Sequence, residues 1–104
     1  MRVIGLMSGT SADGVDAALV EWPDDAATRP FRLVAFHAEP FDRPLQDRIH
    51  QLAAGRLPGA QVLREFAALD VLLAERFAAA AAAVARAAGV SLDAVDAIAS
   101  HGQT

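Results

Sequence analysis

Neither cysteine nor lysine occurs among the 104 residues, and each absence removes a class of chemistry. Without cysteine there are no disulfides and no thiolate metal sites, which suits a reducing compartment without requiring one. Without lysine the Walker nucleotide signature, which needs Gly-Lys-Ser/Thr, is impossible. The nine basic residues are all arginines, scattered singly from Arg2 to Arg86 in a chain of net charge −4 and pI near 5.1. That spacing disfavours a nucleic-acid partner. Long apolar runs are missing too. The largest, residues 77–84, is mostly alanine and falls far short of the roughly 18 residues needed to span a bilayer. Only residues 3–7 precede the first polar turn, too few for a signal-peptide core. With 54% apolar content, the expectation is one small globular unit, partnered by neither nucleic acid nor membrane.

What the chain does have is a glycine-flanked, hydroxyl-rich turn, Gly5-Leu6-Met7-Ser8-Gly9-Thr10-Ser11-Ala12-Asp13-Gly14-Val15-Asp16. The β-prone runs at 3–7 and 15–22 flank it, so the residues between must reverse the chain. Asp13-Gly14 reads as turn chemistry in which glycine takes positive φ. Gly9 allows backbone N–H groups to approach a ligand, and Thr10 and Ser11 add hydroxyls, a set suited to an anion; the alternative on the turn alone is a plain β-hairpin that needs Gly and Asp only to reverse the chain. The dinucleotide fingerprint does not fit, because the glycines lead into a strand-like run rather than a helix.

Residues 23–30 are charged and proline-bounded and read as an exposed loop. A third strand is expected over 31–38, with 31, 33 and 35 on its covered face, so three consecutive strands form a meander. Leu45, Ile49 and Leu52 predict a short helix over 44–54, stopped by Gly55. A long helix is predicted over 61–88, with Leu63, Phe66, Leu73, Phe77, Ala81, Val84 and Ala88 as its apolar stripe. Asp70 falls in that stripe. An unpaired carboxylate in a helix-sheet interface is costly, which predicts that Asp70 is partly buried and bonded near Ser100-His101. The alternative is a solvated carboxylate at the stripe's margin. Residues 78–83, all alanine, either permit close helix-sheet approach or lie partly outside. A final strand is expected over 96–100, parallel to the first by a crossover, with Ser100-His101-Gly102-Gln103-Thr104 at its carboxyl end, where open α/β sheets place ligands. His37 and His50 have no partner motif and read as surface or packing residues.

The turn motif Met7-Ser8-Gly9-Thr10-Ser11-Ala12-Asp13-Gly14-Val15-Asp16 and the terminal motif Ser100-His101-Gly102-Gln103-Thr104 together resemble the anhydro-N-acetylmuramic acid kinases, members of the actin-like superfamily of sugar kinases and chaperones. The resemblance covers the whole chain. It implies an α/β fold, a ribonuclease H-like, actin-like ATPase half-domain, with 1–104 as the N-terminal part of the first nucleotide-binding domain. It also implies a cytoplasmic enzyme using ATP, Mg²⁺ and water to open the 1,6-anhydro ring of anhydro-N-acetylmuramic acid and phosphorylate O6, in peptidoglycan recycling. On the same resemblance Gly9, Thr10, Ser11, Ala12, Asp13, Gly14, Val15 and Asp16 bind ATP, and His101, Gly102 and Gln103 line the sugar-phosphate cleft. The general-base aspartate is expected downstream of residue 104, so no catalytic residue is assigned within the chain. Many superfamily members carry an acidic residue before the Gly-Thr pair where this chain has Ser8, so Asp13 or Asp16 becomes the candidate for Mg²⁺. A homodimer is left open. A chain stopping at Thr104, inside a motif and directly after a strand, is expected to be a piece of a longer polypeptide. The alternative from another class is a non-catalytic ATP-switch domain.

Overall fold

In the computed structural model, which describes residues 1–23 and 31–104, the α/β fold is a single sheet covered by helices on one face. The order is β1 (Arg2–Ser8), β2 (Gly14–Glu21), β3 (Arg32–Pro40), α1 (Arg43–Ala53), α2 (Gly59–Ala87), a 3-10 turn at Leu92–Ala94 and β4 (Ala97–Gln103). The four strands lie in the order β3-β2-β1-β4, the first three as an antiparallel meander and β4 parallel to β1. The polar loop expected over 23–30 falls, from residue 24 onward, outside the described residues.

Alternation dictates the covered face. Ile4, Leu6, Val15, Ala17 and Leu19 are buried, and their neighbours Gly5, Met7, Asp16 and Ala18 point the other way, as the two-residue period of a strand demands. Against this face lie Ala80, Ala81, Val84 and Ala85 of α2, all at most 4% exposed. Ala80 and Ala81 of the alanine run therefore permit close approach, while Ala78 and Ala79 are exposed. Leu45 and Ile49 of α1, with Phe41, close the end of the core nearest the β1-β2 turn. α1 starts where its residues dictate: the Asp42 carboxylate accepts from the N–H of Leu45 at 2.9 Å, and Pro44 sits in the first turn. Gly89, at φ +69°, follows the end of α2.

Four expectations need correction. The α2 stripe holds from Leu73 through Ala88 but not at its start: Leu69 is buried at 4% exposed, whereas Leu63 is 78% and Phe66 62% exposed, because the first turns of the helix lie beyond the sheet. With Leu69 turned inward, Asp70 is exposed and has no hydrogen-bond donor among the described residues. Its predicted burial and pairing are overturned, and the carboxylate stays in water, where its charge costs least. In β3 the register shifts by one residue, Leu19 facing Ala35 but Val20 facing Leu33, so a bulge at Val34 puts Leu33 on the open face and Ala35 toward the helices. Finally, β4 does not stop at residue 100 but runs through Gln103, so the terminal motif is itself strand.

Candidate functional site

The β1-β2 turn, residues 9–13, joins the two strands that are paired on both sides. Three of its carbonyls, those of Gly9, Ser11 and Asp13, are committed to the protein. Gly9 O accepts from Ala12 N at 3.0 Å and from Gln103 Nε2 at 2.9 Å. Ser11 O accepts from Gln46 Nε2 at 3.0 Å and from His50 Nε2 at 2.9 Å, both on α1. A carbonyl can only accept, so the bond fixes the His50 tautomer with its proton on Nε2. Asp13 O accepts from Phe41 N at 2.9 Å. The pivot is Ala12, fully buried with φ +51°. A left-handed alanine costs about 1–2 kcal/mol, tolerated here because its methyl is anchored in the core.

With these three carbonyls tied to the protein, the donors are left. The N–H groups of Gly9, Thr10, Ser11 and Asp13, and the hydroxyls of Thr10 and Ser11, meet no hydrogen-bond partner among the described residues. Thr10, Ser11 and Asp13 are exposed. A run of unspent donors with no facing acceptor is what an anion requires. The two glycines do different work. A Cβ on Gly9 would meet nothing within 4 Å, and its φ is not left-handed, so the chain itself leaves that space open. A Cβ on Gly14 would overlap the carbonyl oxygen of Glu39 on β3. The positive φ expected at Gly14 belongs to Ala12; Gly14 is needed for close approach of two strands. Ala12 and Val15 are buried and can serve a ligand only through their backbone.

Asp13 and Asp16 are exposed, Asp16 on the open face of β2 opposite Met7 and Ala38. Among the described residues no group of three or more histidine, aspartate or glutamate side chains could hold a metal. One or two free carboxylates still fit Mg²⁺ of the kind that keeps its waters and takes further ligands from phosphate.

The terminal strand reaches this turn through an irregularity. Leu6 pairs with Ser100 but Ser8 with Gln103, so β4 carries one extra residue, and Gly102 takes φ +76° there. Gly102 N donates to Ser100 Oγ at 3.1 Å. The extra residue brings Gln103 onto the buried face beside Ser8, which is 1% exposed. Ser8 Oγ donates to Gln103 Oε1 at 2.6 Å, and Gln103 Nε2 also donates to Thr104 O at 3.1 Å. His101 is exposed, with Nδ1 3.2 Å from Thr104 Oγ1. The two segments singled out from the sequence thus meet in the structure, but sequence reasoning missed Gln46 and His50. Their spacing of four, one step along α1 from the apolar Leu45 and Ile49, was the available signal.

Beside the motif, Leu6, Ile49, Leu69, Phe77 and Ile98 line an apolar groove of about 690 Å³, with Asp70, Ser100 and Gln103 among its polar residues. No helix of the described residues is long and apolar enough to cross a membrane.

A family model described as anhydro-N-acetylmuramic acid kinase matches residues 1–104. Curated relatives bearing that name include proteins of Synechococcus elongatus (44% identity over 104 residues, all of this chain and 26% of the relative) and Cyanothece sp. (40%, again all of this chain and 26% of the relative). A third, from Caldanaerobacter subterraneus subsp. tengcongensis, is 37% identical over 98% of this chain and 25% of its own length. The chain thus spans about a quarter of the length of the curated relatives it matches.

Proposed function

The chain belongs to the anhydro-N-acetylmuramic acid kinase family, and from that premise we propose that it forms the N-terminal part of the first nucleotide-binding domain of an ATP-dependent sugar kinase. The activity proposed for the whole protein is conversion of 1,6-anhydro-N-acetylmuramic acid to N-acetylmuramic acid 6-phosphate. The observation that carries this reading is the polarity of the β1-β2 turn, in which the carbonyls of Gly9, Ser11 and Asp13 are bonded inward while the N–H groups of Gly9, Thr10, Ser11 and Asp13 are unspent.

Phosphoryl transfer is mainly a problem of position and charge. The N–H groups of residues 9–11 and 13 and the Thr10 and Ser11 hydroxyls would receive phosphate oxygens, and the open space over Gly9 lets the backbone come close. Because the inward bonds fix the turn beforehand, little reorganisation is needed as charge builds on the phosphate. Mg²⁺, when bound with the nucleotide, neutralises phosphate charge; Asp13 or Asp16 would hold it directly or through water. His101, exposed at the end of β4, is the group proposed for the sugar side of the cleft. The base that activates water is assigned to the protein beyond residues 1–104.

The test uses the full-length protein. ATP, Mg²⁺ and the anhydro-sugar together should give ADP and a 6-phosphorylated product, whereas ATP turnover indifferent to sugar would favour the switch-domain reading. Gly9→Val should raise the Kd for ATP at least about tenfold, yet move the thermal midpoint by less than about 2 °C, since its side chain enters space the protein does not use. Unchanged ATP affinity in that variant would remove the turn from the site.

A further inference from the structure

We infer that Gln103 is a positioning residue for the phosphate-binding turn, and not a sugar contact. Both donors of its side-chain amide are employed within the protein. Oε1 accepts from buried Ser8, and Nε2 donates both to Gly9 O and to Thr104 O. A primary amide has two N–H donors, and both are spent. None is left for a substrate.

What the amide does to Gly9 matters for the anion. A carbonyl oxygen carries partial negative charge, and one rotated toward a phosphate would repel it. Ala12 N alone ties Gly9 O to the turn itself, a bond that moves with the turn. Gln103 ties the same oxygen to β4, a separate element. Ser11 O is restrained in the same manner by Gln46 and His50 from α1, so the turn is held from both sides. The latch depends on the bulge. Were β4 regular after Ser100, residue 102 would stand opposite Ser8, and Gln103 would point to the other face of the sheet. Gly102, at φ +76°, supplies the conformation that avoids this. The three residues His101, Gly102 and Gln103 therefore divide their work: the glycine makes the bulge, the glutamine holds the turn, and the histidine is left exposed.

This inference rests on the turn being the phosphate site, so the wild-type full-length enzyme is measured first: absence of ATP binding there refutes that reading before any variant is compared. Gln103→Leu, which removes the donors at similar size, and Gln103→Glu, which keeps an acceptor for Ser8 but cannot donate to Gly9, should each weaken ATP binding about tenfold without sugar present. In both, KM for the anhydro-sugar should stay within about twofold of wild type, and Ser8→Ala, which leaves both donors of Gln103 intact, should have a smaller effect on ATP. Gln103→Glu is close to isosteric and carries the test if Gln103→Leu does not fold. A raised sugar KM with unchanged ATP affinity would overturn the inference in favour of a sugar contact. Loss of thermal stability with both constants unchanged would overturn it in favour of a purely structural role.

Discussion

Two glycines five residues apart carry opposite expectations. Gly14 has no room: alanine there would drive its methyl into the Glu39 carbonyl and push β2 from β3. Gly14→Ala should cost about 1–3 kcal/mol by urea denaturation, the range for overpacking a tight contact, whereas Gly9→Val should cost little stability and act on the ligand. The turn was legible from residues 9–16 because glycine, hydroxyl and Asp-Gly cluster there between two strand patterns. The division of labour between its glycines was not, since it depends on how near β3 passes. The same holds for Gln46 and His50, whose role exists only once α1 is laid beside Ser11.

Among the elements, α2 shows why periodicity predicts a helix better than the face it buries. Nearly every third or fourth residue of its 29 is apolar on more than one side, so stripes through Leu63-Phe66 and through Leu69 compete in the sequence, and only the sheet's position decides. Leu69→Ala should therefore destabilise by about 2–4 kcal/mol, and Leu63→Ala by no more than about 0.5 kcal/mol, as read from chemical unfolding. The strand pattern was similarly legible, but the bulges at Val34 and Gly102 were not: one inserted residue shifts parity without leaving a periodic mark. Across the meander, Glu21 of β2 joins Arg32 of β3 at 2.9 Å and Arg2 of β1 at 3.3 Å. Hydrogen bonds from Arg32 first, then Arg2, hold its carboxyl below the ordinary 4.5. A depressed folded value means that the contribution is complete above about pH 4.5 and is lost as pH falls through the lower folded value. Glu21→Gln should accordingly flatten the acid limb of the stability profile below pH 4.5, and added salt should do the same to the wild type, because the pair is exposed to solvent.

At the scale of the whole molecule, the chain accounts for about a quarter of its relatives' length, and its sheet is unevenly covered. β2 and β3 lie under α2, while residues 97–100 of β4 are all exposed and Ile98 stands 52% open beside the apolar groove. β1 holds a central place, β2 on one side and β4 on the other, and ends in the turn of functional interest. That position has a kinetic corollary. Amide deuteration of the whole protein should proceed slowest in β1 and faster in β3, a ranking readable by mass spectrometry of peptide fragments; β1 deuterating as fast as β3 would contradict the pairing. Nucleotide should then slow deuteration of the turn and of the first part of α1, but scarcely alter β1. A strand that already opens only with the entire domain has no local breathing for a ligand to quiet.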